Sequence, residues 1–242
     1  MRNFIAFLLC LLCLAACTPE EPVIPQEPET PETPETPVNP EPPVIDYGDG
    51  SKERPFVIDS PTRLEDLMTI YMDAGQPTDK NKFKYYACMI ADVDASGIEW
   101  TPLNADGSFY KYIDFDGKGH TISNLNVKGT YASFAGVLYG SIRNVTFSNA
   151  TINGGNSNCG VVAGFIGTNG LPGSCENVVV TNSTVTGTRY VGGFAGVART
   201  TGDITGCRVE NTTLTSTSYI AGFAAYVDLG SDDTYEVPGI FR

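Results

Sequence analysis

The chain of 242 residues has one His, one Trp and only 18% charged residues. A single His leaves no material for a His-cluster metal centre or for paired-His catalysis. So little charge argues against a helical bundle or coiled coil laced with ion pairs. Basic residues are the scarcer sign: 15 Lys and Arg stand against 28 Asp and Glu, a net charge of −13. That balance has the wrong sign for a dedicated nucleic-acid binder. The longest apolar run, Phe4 to Leu14, is too short to span a bilayer. No zinc spacing, phosphate-cradling loop or nucleophile elbow occurs, so no catalytic residue, metal or cofactor is expected. What the chain has in excess is Gly, 26 residues, and Pro, 16 residues.

Residues 1–16 carry Arg2, the short apolar run and Ala15-Ala16, the layout of a secretory signal. The stretch Leu14-Ala15-Ala16-Cys17 resembles the bacterial lipobox, which implies cleavage before Cys17 and lipid on its thiol. Several acyl chains on one residue give stable anchoring, at about 0.8 kcal/mol per buried methylene. Thr18 rather than Asp follows, which in such lipoproteins implies the outer membrane. Residues 17–46 then form a tether: positions 18–46 hold ten prolines, eight acids and no Lys or Arg. Their Pro-Glu-Thr repeat, Pro28 to Pro37, lacks the apolar content to offset chain entropy. At about 3.1 Å per residue in the polyproline conformation, such a segment reaches up to roughly 90 Å.

Cysteine usage fits an exported protein. Cys10 and Cys13 leave with the signal, and Cys88, Cys159, Cys175 and Cys207 remain in the folded part. Four thiols could make two disulfides in an oxidising compartment, but Cys175 and Cys207 fall on apolar repeat positions and are expected as buried free thiols.

Repetition is the strongest structural signal. Gly140 to Asn149, Gly173 to Asn182 and Gly202 to Asn211 align, and Ile122-Ser123-Asn124-Leu125 is expected in the same frame. A second module reads Phe134-Ala135-Gly136-Val137, Val162-Ala163-Gly164-Phe165, Val191-Gly192-Gly193-Phe194 and Ile220-Ala221-Gly222-Phe223. Its glycines recur at 136, 164, 193 and 222, a period that signals stacked repeats. Val, Ile, Thr and Phe dominate, which is strand chemistry. Apolar partners such as Ile142 and Val145, Phe147 and Ile152, or Val191 and Phe194 lie an odd number of residues apart. Both can face inward only if the chain bends between them, where Asn or Gly stands, and these tolerate the left-handed conformation. The expected fold is all-β: a single-stranded parallel β-helix over residues 121–226. Ile142, Cys175 and Ile204 should form one inner column, and Val145, Val178 and Cys207 another. Asn124, Asn144 and Asn177 should line one bend, where they could form a side-chain ladder; the simpler reading is that Asn fits the turn. The glycosylation-like triplets at Asn149, Asn182 and Asn211 read as repeat echoes.

A solenoid end needs a cover, and residues 47–120 are read as strands and a capping helix. Ser60-Pro61 has the form of a helix start; Leu64, Leu67, Met68 and Tyr71 share one face, and Gly75 ends the run. Pro55 to Ile58 and Tyr85 to Val93 read as strands. Residues 227–242 form an acidic tail. The run Asp92-Val93-Asp94, Trp100-Thr101-Pro102, Phe115-Asp116-Gly117-Lys118-Gly119-His120-Thr121-Ile122-Ser123-Asn124-Leu125 and Val191 to Gly196 resembles proteins carrying the GLUG motif. The resemblance spans nearly all of residues 47–226, with Ala in place of Gly at 221 and 225. It implies a right-handed β-helix on a surface protein, some such proteins being adhesin-like; the motif also accompanies some secreted peptidases and itself carries no activity.

Asp92, Asp94, Asp114 and Asp116 are the candidates for paired-carboxylate chemistry or Ca²⁺ binding; as turn and strand-end residues they need neither. His120 sits in a turn. Residues 121–226 hold only Glu176, Asp203 and Glu210 as acids, and the repeat does not cluster them. Arg189, Tyr190 and Tyr219 fall near one row, where aromatic rings with hydroxyls suit contact with sugar or protein. The expected role is a lipid-anchored, non-catalytic surface module. Its partners would be the membrane, through Cys17, and a host or matrix glycan or protein, with no nucleic acid. The alternative is a surface polysaccharide lyase or glycosidase on the same scaffold.

Overall fold

The structure is a computed structural model and describes residues 45–78, 82–107, 110–168, 171–199 and 202–227. Cys17, all but the last two residues of the tether and nearly all of the acidic tail lie outside the described residues.

The chain winds into a parallel β-solenoid of six stacked layers. Along the first face, Phe56, Ala87, Phe115, Ile142, Cys175 and Ile204 stand in register one above the other. The second face stacks Val93, Ile122, Phe147, Val180 and Val209. A third stacks Val127, Ile152, Val185 and Leu214. The last face is built from Ala135–Leu138, Ala163–Ile166, Ala195–Ala198 and Ala224–Val227. All named pairs are parallel, so each coil hydrogen-bonds to the coils before and after it. Inward residues from every face join one buried cluster. Fully burying a side chain of this size is worth about 1.5–3 kcal/mol, so each added coil extends the core as well as the ladders. The expected column of Ile142, Cys175 and Ile204 is therefore present, and Val145 and Val178 pair as expected. All four described cysteines are free. Cys175 is fully buried and Cys207 partly so.

The bends follow the Asn positions. Asn144 and Asn177 are left-handed, with φ of 53° and 52°, and Asn124, Asn149, Asn182 and Asn211 likewise at 58°, 55°, 51° and 48°. They belong to two separate bends. Ile122 pairs with Phe147, not with Ile142, so Asn124 follows the face that precedes Asn149, Asn182 and Asn211. The expected single frame for Asn124, Asn144 and Asn177 is thus corrected. Both bends carry the same local pattern, apolar residue, spacer, Asn, apolar residue, so alignment by eye could not tell them apart. The ladder exists along the first bend: Asn177 Nδ2 donates to Asn144 Oδ1 at 3.3 Å, and Asn144 Nδ2 donates to Asp116 Oδ1 at 3.1 Å.

The glycine frame needs the same kind of correction. Ala163 pairs with both Ala135 and Ala195, and Ala195 with Ala224. Gly136 and Gly164 therefore align with Gly196 and Ala225, while Gly193 aligns with Gly222. Two glycines three residues apart, Gly193 and Gly196, allowed the shorter period to be read across both. Nor do Gly192 and Gly193 serve a left-handed bend. A Cβ on Gly192 would lie 1.8 Å from the Ala195 carbonyl oxygen, and one on Gly193 2.3 Å from that of Gly222. Close approach of neighbouring backbone, not φ, excludes a side chain there.

The helix, α1 (Pro61–Asp73), starts as read: Ser60 is the N-cap and its Oγ accepts from Arg63 N. Leu64, Leu67 and Tyr71 enter the buried cluster, and the Tyr71 hydroxyl donates to the Tyr112 carbonyl at 2.6 Å. The expected strand from Tyr85 to Val93 is split into Phe83–Met89 and Val93–Asp94. Strands of residues 56–116 lie in the same ladder as the later coils, so this region contributes solenoid layers as well as the helix.

Candidate functional site

A cleft of about 360 Å³ lies on the outer side of the last face. Its floor is set by register. Phe165, Val197 and Tyr226 occupy one position in three successive strands, between neighbours that face the core. Tyr131 reaches over from the preceding corner and meets Phe165 edge to face, centroids 5.5 Å apart. It does so from a left-handed backbone, φ 53°, uncommon for a bulky residue, and its amide donates to Ser157 Oγ at 3.2 Å. On the other side stand Arg189 and Tyr190. The Tyr190 ring is 5.6 Å from that of Tyr226, and the Arg189 guanidinium lies 5.4 Å from the Tyr190 centroid.

Arg189, Tyr190 and Tyr219 are therefore brought together as expected. Tyr190 and Tyr219 are register partners whose rings stack at 4.8 Å. Tyr219 buttresses Tyr190 from the next coil, while Arg189 and Tyr190 line the cleft itself. Sequence reasoning missed Tyr131, Phe165 and Tyr226. Tyr226 was the most accessible of these, since the repeat frame, once corrected, puts it at the position of Val197.

The four candidate aspartates do not converge on a shared site. Each reaches into the following coil. Asp92 Oδ1 accepts from Thr121 N at 2.9 Å and pairs with His120 Nδ1 at 3.2 Å. Asp94 accepts from Asn124 Nδ2 at 2.8 Å, and Asp114 from Ser141 Oγ at 2.6 Å. Asp116 holds Asn144 and forms ion pairs with Lys118 and Arg143. The Thr121 amide foremost lowers the carboxyl pKa of Asp92, and the Asn124 amide that of Asp94. These acids staple one layer to the next. Among the described residues no three His, Cys, Asp or Glu side chains lie close enough together to hold a metal ion. Burial pushes the Cys159 thiol up to about 11, which makes it a poor nucleophile at neutral pH.

Residues 187–215 match the family model described as the GLUG motif. In the structure that span is one full coil: it begins just after Thr186 and ends at Thr215, the residue paired with Thr186 in the next layer. The motif is thus the solenoid's unit of stacking, and it carries Arg189, Tyr190 and Arg199 of the cleft. The chain is similar to halomucin of Haloquadratum walsbyi, 35% identical over 162 residues, which are 60% of this chain and 2% of that protein. It also resembles a crystal structure described as "a putative immunoglobulin A1 protease from Bacteroides ovatus". There the TM-score is 0.66 and the identity 31%, over 76% of this chain and 56% of the other. The chain therefore spans a small fraction of halomucin and about half of the solved protein.

Proposed function

We propose that this chain is a surface β-solenoid that binds a glycan or protein ligand without transforming it. It would be held to an outer membrane by lipid on Cys17 and lifted from it by the Pro-Glu-Thr tether. The observation that carries the reading is the cleft: aromatic side chains from four successive coils, Tyr131, Phe165, Tyr190 and Tyr226, converge with arginine on one accessible face. Aromatic faces with hydroxyls suit both sugars and protein surfaces. The volume falls at the low end of the roughly 300–1,000 Å³ typical of ligand sites. A glycan and protein array probed with the purified chain tests it: saturable binding lost in Tyr190→Ala is expected. Failure to bind any array member, with the fold intact, would sink it. For the anchor, Cys17→Ala should abolish partition into a detergent phase, and unchanged partition would refute lipidation.

A second reading, catalysis on the same scaffold, is favoured by the description of the Bacteroides ovatus protein as "a putative immunoglobulin A1 protease" and by the Asp92–His120 pair. Turnover of a polysaccharide or peptide substrate that disappears in Asp92→Asn, with unchanged melting temperature, would establish it in place of the first.

A further inference from the structure

We infer that the cleft is built for an anionic sugar, a pyranose residue bearing a carboxylate or sulfate. This rests on the binding reading above and narrows it. The first observation is the sign of the cleft. Two arginines, Arg189 and Arg199, line it, and no Asp or Glu does. Arg189 is solvent-exposed, and among the described residues its guanidinium makes no ion pair within 4 Å. It lies instead against the Tyr190 ring, which steadies the planar fork for two-point recognition of an oxyanion.

The second observation is an orphaned acceptor. Asn158 is 5% exposed and lines the cleft, and its Oδ1 has no hydrogen-bond donor. A buried carbonyl oxygen without a partner is costly to leave unmet, and a ligand hydroxyl would relieve it. Its position is enforced: a Cβ on Gly196 would fall 2.9 Å from Asn158 Cβ, so glycine in the neighbouring strand makes room for it. The third is the floor. The strands Ala163–Ile166 and Ala195–Ala198 are paired on both sides, so their backbone groups are taken up by the ladder and a ligand lying over them meets side chains. Recognition must pass through side chains: flat rings for the C–H face of a pyranose, Asn158 and the tyrosine hydroxyls for its hydroxyls, Arg189 for its charge.

The test is calorimetric titration of the purified full chain at low salt with three oligomers of equal length. These are a carboxylated oligogalacturonate, a sulfated oligogalactan and a neutral oligogalactan. At least one anionic oligomer should bind about tenfold or more tightly than the neutral one, and weaken as salt screens the charge; which one binds identifies the anion. Arg189→Gln should bring the anionic oligomer down to the neutral level without changing the melting temperature, and Arg189→Lys should restore part of the difference. Equal affinity for charged and neutral oligomers, or an Arg189→Gln variant that binds as tightly as the parent, would overturn the charge assignment and leave the binding reading standing. Absence of binding to all three by a folded chain that does bind array proteins would overturn the sugar assignment alone, and absence of any binding would overturn both.

Discussion

Val191 and Ile220 occupy the same place in successive coils, yet Val191 is fully buried and Ile220 is 48% exposed. Between the layers the residue type barely changes; what changes is whether, among the described residues, another coil lies beyond. At the opposite end of the stack α1 plays that part, and its Leu64 and Leu67 are fully buried in the shared core. The comparison teaches that in this fold burial belongs to the interface between coils rather than to the residue, as expected where stability is a sum of nearest-neighbour terms. Substitutions at register-equivalent positions of the interior and of the last described coil should therefore differ in cost.

The largest difference should appear at a phenylalanine pair. Phe194 and Phe223 are equivalent, and their rings stack at 4.4 Å. Phe194 is fully buried, while Phe223 is only partly so. Phe194→Ala should cost about 3–5 kcal/mol, the usual loss for a large ring in a packed core. Phe223→Ala should cost roughly half as much, because part of its transfer free energy is never gained. Denaturant unfolding of both variants measures the gap; equal losses would show that the last coil is packed as tightly as the interior.

Gly193 and Gly222 sharpen the same comparison without any change in hydrophobicity. Neither is left-handed, and they occupy one register position. A Cβ on Gly193 would sit 2.3 Å from the Gly222 carbonyl oxygen, whereas one on Gly222 meets nothing within 4 Å. Gly193→Ala should destabilise by about 1–3 kcal/mol through forced separation of the backbones. Gly222→Ala should stay within about 0.5 kcal/mol of the parent. Thermal melts of the two variants decide it, and a neutral Gly193→Ala would mean that the coils can part at no cost.

These pairs also show what could be read in advance. The helix start at Ser60-Pro61, the odd spacing across the Asn bends and the column through Ile142, Cys175 and Ile204 were legible because each depends on local chemistry or on a period. The assignments that failed, Asn124 to one bend and Gly193 to the period of Gly136, failed because different bends reuse one pattern and only hydrogen-bonded register distinguishes them. Of the site, Arg189, Tyr190 and Tyr219 were visible as a row. Tyr131 and Phe165 were not, since their meeting depends on which way each corner turns and on the lengths of the individual coils. Those lengths run from 27 residues, Phe115 to Ile142, to 33, Ile142 to Cys175.

Charge is the other respect in which the early and late coils differ, and it gives the smallest effect. The ladder that runs through Asn177 and Asn144 ends on Asp116, so one bend is held by an ionisable group at its early end and by amides thereafter. Burial raises the Asp116 pKa, but the Lys118 amide, the Asn144 side chain, the Lys118 ammonium and the Arg143 guanidinium outweigh it and leave the carboxyl below its ordinary value of 3.8. A carboxyl depressed in the folded state binds protons more weakly there than in the unfolded chain. Its contribution to stability is therefore complete above the unfolded value and is lost as pH falls through the folded one. Asp116→Asn should lower the melting temperature at neutral pH, and the difference from the parent should close as the solution is acidified below about pH 4. Asn177→Ala, further along the same ladder, removes no titrating group, and its difference from the parent should hold constant over the same range. A constant offset for Asp116→Asn as well would mean that its ion pairs contribute nothing and that hydrogen bonding alone holds both ends of the ladder.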